Sequence, residues 1–158
     1  MQLHALSAQP AERGLAKQVD HRDANGQRFV ALSPLCVVAS GGQAAGMLDA
    51  TLWGGPPGVV KCQCAQHLRL PDAGGNNRLD SLSNLLTDAR IALLFLLPGV
   101  DETLRDNGTA KLRDEARFIV VFDGERQRPK LVIASEVREA YLHFAKALML
   151  PRPWHAQA

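Results

Sequence analysis

The sequence predicts a mainly β domain, an antiparallel sheet or barrel with helices packed around it. Three observations carry that prediction. Four strand-like runs, at 35–40, 47–52, 59–64 and 67–71, precede the first well-formed central helix. Hairpins make such an order, whereas βαβ units do not. The run Ile91-Ala92-Leu93-Leu94-Phe95-Leu96-Leu97 contains no polar residue, the composition of a strand covered on both faces. A chain of 158 residues, 46% of them hydrophobic, suits one domain with a real core.

Residues 1–33 read as short helices. Pro10 opens a segment carrying Leu15, Ala16 and Val19, and Asp23-Ala24-Asn25-Gly26 breaks it as a turn. A second piece, Gln27 to Leu32, stops at Ser33 because the residue before proline disfavours the helical region. Leu35 to Ser40 is a β-rich apolar run, and Gly41-Gly42 and Gly46 bracket the turn to its return strand. Trp53-Gly54-Gly55-Pro56-Pro57-Gly58 reads as loop, since two prolines and three glycines fit neither ladder nor helix.

The centre of the chain is Gly74-Gly75-Asn76-Asn77-Arg78, leading into a helix with Leu79, Leu82 and Leu86 on one face. Asn76 and Asn77 are good N-caps. The first turn offers free N–H groups, the positive end of the helix dipole and the Arg78 fork, a combination suited to a phosphate. An ordinary capped helix after a loop has the same spacing, and both readings stand at this level.

Glu102 to Leu112 is expected to be a strand, and alternation puts Thr103, Arg105, Asn107 and Thr109 on one face. That row is either the wall of a polar-ligand pocket or a solvated face. Around 113–130 the strand composition of Phe118 to Phe122 conflicts with the helix start at Asp114-Glu115-Ala116. Leu131 to Val137 reads as a strand. Arg138 to Leu150 reads as a helix with Tyr141, Phe144, Ala145 and Leu148 on one stripe and His143 near Lys146. Trp154, next to Pro153, is a packing cap or a lid for a flat ligand.

Composition excludes several classes. A net charge of +2 with scattered cations argues against a nucleic-acid binder. No apolar run reaches the ~18 residues of a membrane span. The N-terminus lacks the basic-then-apolar order of a signal peptide, so a cytoplasmic protein is expected. Three cysteines do not suggest a disulfide framework. Cys62, Cys64 and His67 fall short of a zinc site, because one residue separates the cysteines and no fourth ligand is evident. Inert thiols and no metal are expected there.

The order of these motifs resembles the pyridoxamine 5'-phosphate oxidase-like flavoproteins, the FMN-binding split-barrel superfamily, and within it a bacterial subgroup of uncertain substrate. The resemblance rests on Phe29 to Pro34, Gly55 to Gly58, Pro71-Asp72 leading into Gly75 to Leu82, and Leu94 to Val100. It continues through Glu102 to Arg105, Asn107-Gly108, Glu139 to Tyr141, His143, Ala145 to Ala147 and Trp154. It implies one domain over 1–158: a six-stranded antiparallel split barrel with the 1–33 helical segment packed on it. It also implies a homodimer with FMN in a groove between subunits, and helix rather than strand at Phe118 to Phe122.

Carried over by motif, Asn77 and Arg78 match the phosphate-binding positions, with Asn76 and Ser81 beside them. Thr103, Arg105 and Asn107 match the strand bordering the flavin, and Lys146 and Trp154 the C-terminal positions near the cofactor. The subgroup's Ser-Pro-Arg is Thr51-Leu52-Trp53 here, so an indole that could stack on the flavin replaces a cation. The resemblance implies an FMN-dependent oxidoreductase acting on a small-molecule substrate or electron donor, with catalytic residues and substrate unassigned. The alternative is a flavin- or other-cofactor-binding module without its own turnover.

Overall fold

The computed structural model describes residues 19–42, 47–72 and 79–149. Seven strands form one antiparallel sheet: β1 (Leu35–Gly41), β2 (Leu48–Gly54), β3 (Lys61–Cys62), β4 (His67–Pro71), β5 (Arg90–Leu96), β6 (Glu102–Arg113) and β7 (Val132–Phe144). Their order is β2-β1-β5-β6-β7-β4-β3. The mainly β expectation therefore holds, as seven strands of one open sheet rather than a six-stranded barrel. β3 makes the difference, a two-residue strand paired to β4 beyond the six longer ones.

Alternation decides which side of each strand is covered. Cys36, Val38, Ile91, Leu93, Phe95 and Leu104 turn inward and are nearly inaccessible. Leu68, Leu70 and Ile133 extend this core to the far side of the sheet. Helix α1 (Ala24–Leu32) adds Phe29 and Val30. It begins three residues earlier than the sequence suggests. Asp23 is its N-cap, accepting from the Gly26 N–H at 2.7 Å, so Asp-Ala-Asn-Gly opens the helix instead of breaking the chain.

Helix α2 (Asp80–Thr87) buries Ser81, Leu82 and Leu85. Leu79 and Leu86, expected on the packed face, are exposed, because the helix lies on the sheet through Ser81 and the two leucines that it carries beside them. The Ser81 hydroxyl donates to Asp49 at 2.8 Å, and Asn84 donates to Ser40 at 3.1 Å. The expected strand at 59–64 shrinks to β3, since the chain turns at 56–58 and bends again at 64–66. Residues 116–122 are helical: α3 (Ala116–Ile119) runs into a 3₁₀ turn (Val120–Phe122). Ile119 and Phe122 pack on Val132.

The largest correction concerns 138–150. β7 continues to Phe144, and only the short α4 (Lys146–Met149) is helical. The cause is pairing with β6, which holds Glu139 to Phe144 in the ladder past a bulge. Asn107 pairs with Glu139 and Gly108 with Val137, which leaves Arg138 as an extra residue. The extra residue moves the inward positions from Val137 to Ala140, and the expected stripe does not form: Tyr141 stands in the outer row beside Arg105, and Phe144 is exposed.

Two contacts tie the sheet across its interior. Trp53 Nε1–H donates to the Pro71 carbonyl at 2.8 Å. This bond joins edge strand β2 to β4, with four strands between them in the sheet order, so the sheet must coil on itself. Arg22 Nη1 donates to Asp106 Oδ2, and both side chains are fully buried. Burial pushes the Asp106 carboxyl up to about 6, against the pull of Arg22.

Candidate functional site

The outer face of β1, β5 and β6 carries a groove of about 610 Å³. Register builds it row by row. Val37, Leu94, Arg105 and Tyr141 stand in one cross-strand row; Ala39, Ala92, Asn107 and Glu139 stand in the next. Leu96, Thr103 and His143 form a third. The first two strands supply an apolar floor, shallow where Ala39 faces Ala92. β6 and β7 supply a polar wall. The chain after β7 folds over one end, bringing Lys146 to the rim.

Thr103, Arg105 and Asn107 thus share one face, the arrangement that alternation predicts. Thr103 is buried, and its hydroxyl donates to the His143 carbonyl at 3.5 Å. Asn107 Nδ2 donates to Glu139 at 3.3 Å. Arg105 is exposed, and its guanidinium lies 5.5 Å from the Tyr141 ring centre. His143 and Lys146 also meet at the groove, though from a strand and a following turn of helix instead of one helix face. Arg105 and Lys146, at the rim over an apolar floor, make no ion pair among the described residues.

Other expected site residues lie elsewhere. Trp53 pairs with Cys36, whose side chain is buried, so the indole turns to the inner face and packs on the core. Its N–H is committed to Pro71. Ser81 is also on the inner side, committed to Asp49. Neither is brought to the groove. Asn76, Asn77, Arg78 and Trp154 lie outside the described residues. The apolar floor escaped the sequence reading. The signal was available in Val37 and Ala39, which alternate with the buried Cys36 and Val38.

Cys62, Cys64 and His67 do not converge as ligands. The Cys62 thiol donates to the Cys64 carbonyl at 3.2 Å, and no group of three or more His, Cys, Asp or Glu is arranged for a metal among the described residues. Also among the described residues, no helix is long and apolar enough to cross a membrane.

No protein-family model matches the sequence, and no curated protein matches it. Solved structures do. HupZ of Group A Streptococcus superposes with a TM-score of 0.62 at 14% identity, covering 77% of this chain and 94% of that one. A Lactobacillus delbrueckii protein described as a candidate pyridoxamine 5'-phosphate oxidase gives 0.59 at 11% identity, covering 78% and 95%. A Clostridium acetobutylicum protein of the pyridoxine phosphate oxidase family, related to general stress protein 26, gives 0.50 at 12% identity, covering 76% and 87%. The chain has the pyridoxamine 5'-phosphate oxidase-like fold.

Proposed function

We propose that this chain is an FMN-binding flavoprotein, and that it acts as an FMN-dependent oxidoreductase in the form of a cytoplasmic homodimer. The observation that supports the reading best is the outer groove. Its volume of about 610 Å³ lies within the ~300–1,000 Å³ of small-molecule sites. Its shallow apolar floor suits a planar ring system, and the cations Arg105 and Lys146, which make no ion pair among the described residues, suit an anionic ligand. The fold of the relatives agrees with this reading.

FMN, when bound, supplies the redox chemistry itself. The chain's residues bind and orient it. In this proposal Asn76, Asn77 and Arg78 hold the phosphate, and Thr103, Arg105 and Asn107 border the ring. Lys146 and Trp154 close the C-terminal side. Ser81 and Trp53, committed to Asp49 and Pro71, steady the scaffold instead. The split-barrel description belongs to the same proposal: six longer strands, with Trp53 drawing β2 toward β4. The dimer is supported by Leu48 and Leu52, which are 85% and 72% exposed on the outer face beside the groove.

The test is an absorption spectrum followed by titration with FMN and riboflavin. The proposal expects a yellow protein, tighter binding of FMN, and bleaching by NADH or NADPH without air that air reverses. Tight binding without bleaching by any donor favours the non-turnover module. Failure to bind either flavin overturns the proposal.

A further inference from the structure

A second groove, of about 430 Å³, lies at the other end of β6 and shares no lining residue with the first. Its floor is the outer face of β4, β7 and β6. His67, Glu136 and Thr109 form one row there, and Arg69, Ala134 and Lys111 the next. Phe118 forms one wall. The guanidinium carbons of Arg69, Arg113 and Arg117 lie 4.9, 5.3 and 5.0 Å from its ring centre.

The charge here is one-sided. Glu136 is the only carboxylate lining the groove among the described residues, and Arg138 holds it at 3.3 Å. Glu115, just outside, is shared between Arg113 and Arg117 at 3.5 and 3.6 Å. Lys111 is exposed and makes no ion pair among the described residues, and the buried Arg113 Nε has no hydrogen-bond partner there. An excess of cations around a concave surface raises the local concentration of anions.

Cys64 stands in this groove. Its thiol is exposed and lies 3.2 Å from His67 Nδ1. That hydrogen bond holds the thiol below its usual range, which increases the fraction present as thiolate. The other two cysteines differ. Cys36 is buried, and burial pushes its thiol up to about 12. Cys62 is half-buried, with its thiol turned onto the Cys64 carbonyl.

We propose that Cys64 is a thiol–disulfide exchange site selective for small anionic disulfides, with Lys111, Arg69 and Arg113 recognising the negative charge and His67 positioning the thiolate. The Cys64 sulfur attacks one sulfur of the incoming disulfide. A Cys64–S–S–R bond forms as the old S–S bond breaks, and the second half leaves as a thiolate. The Cys64 proton passes to His67 and on to the leaving thiolate, so one thiol and one disulfide are consumed and one of each is formed.

The test uses the full chain carrying Cys62→Ser, which leaves Cys64 as the accessible thiol. Two disulfide probes are compared, the dianionic dithiobis(nitrobenzoate) and the neutral dithiodipyridine, with a blocked peptide of residues 61–67 as reference. The protein should prefer the dianion over the neutral probe at least about tenfold more than the peptide does at low salt. Molar salt should abolish that excess. Lys111→Glu, a change at an exposed side chain, should reduce the preference about tenfold. His67→Gln should slow both probes equally. A preference equal to the peptide's, or one unmoved by Lys111→Glu, overturns the proposal. So does labelling that persists in Cys64→Ser.

Discussion

Replacing Arg22 with Met tests whether β6, the strand that walls the outer groove, is anchored from inside. Asp106 sits between Arg105 and Asn107 on β6, so it points into the sheet while its neighbours point out. Arg22 and Asp106 are each 1% exposed. Arg22→Met keeps much of the side-chain volume and removes the cation. It leaves a buried carboxylate without its partner, at a cost of about 3–5 kcal/mol. Domains of this kind have only ~5–15 kcal/mol in all, so the variant loses a large share.

The pH dependence gives a second readout. Asp106 is raised to about 6 in the folded protein, mainly by burial. In the unfolded chain an Asp titrates near ~3.9. Between roughly pH 4 and 6 the folded protein therefore holds a proton that the unfolded chain has released. Stability falls as pH rises through that window, by at most about 3 kcal/mol at ~1.4 kcal/mol per unit. Without Arg22 the carboxyl rises further, so the variant's deficit is larger at about pH 8 than at about pH 5. Urea unfolding at both pH values, followed by tryptophan fluorescence, measures this. Arg22→Met combined with Asp106→Leu should regain most of the loss, because an apolar pair needs no desolvation. A single-variant loss under about 1 kcal/mol, or one equal at both pH values, refutes the buried ion pair.

Three further outcomes are expected, two from the geometry and the third from the proposed phosphate site. Gly108→Ala should destabilise by about 3 kcal/mol in urea melts, since a Cβ there would lie 2.1 Å from the Glu136 carbonyl oxygen, a backbone atom that cannot turn away; a neutral result would mean that the bulge is absent. Trp53→Phe should cost about 1 kcal/mol through the lost bond to Pro71 and leave the ratio of FMN to riboflavin affinity unchanged in fluorescence titrations; a changed ratio would place the indole at the cofactor. Arg78→Ala should weaken FMN by about 1.5–3 kcal/mol and leave riboflavin nearly untouched in the same titrations, whereas equal losses would remove Arg78 from the phosphate.

Where the sequence spoke clearly, one period dominated the stretch. β1, β4 and β6 lie within a residue of the expected bounds because alternation and flanking breakers agree. β7 shows how that logic fails. Arg138 to Leu142 contains good helix formers, and the spacing of Tyr141, Phe144, Ala145 and Leu148 fits a helix although the strand runs on to Phe144. Only the partner strand resolves the ambiguity, and pairing between residues more than twenty apart in sequence is invisible in a local window. Asp23-Ala24-Asn25-Gly26 poses the same problem on a smaller scale, since Asp serves equally in a turn and as an N-cap. The Trp53 substitution was visible, but its direction was not. Whether an indole faces a ligand or the core depends on the strand's register against Cys36.

That register also explains why β6 serves both grooves. Its outward residues Thr103, Arg105 and Asn107 wall one groove, and Thr109, Lys111 and Arg113 line the other. Its inward residues Leu104 and Ala110 sit in the core, with Asp106 locked to Arg22 between them. One strand therefore fixes the position of both grooves, and its only irregular partner is the bulge at Gly108, set between them. A residue smaller than any other is needed there because the Glu136 carbonyl crosses where a side chain would stand. The bulge also sets the parity of β7, turning Glu139, Tyr141 and His143 to the outer side. Were Arg138 paired in the ladder instead of bulged out, these three side chains would face the core and the share of the polar wall that β7 supplies would be lost.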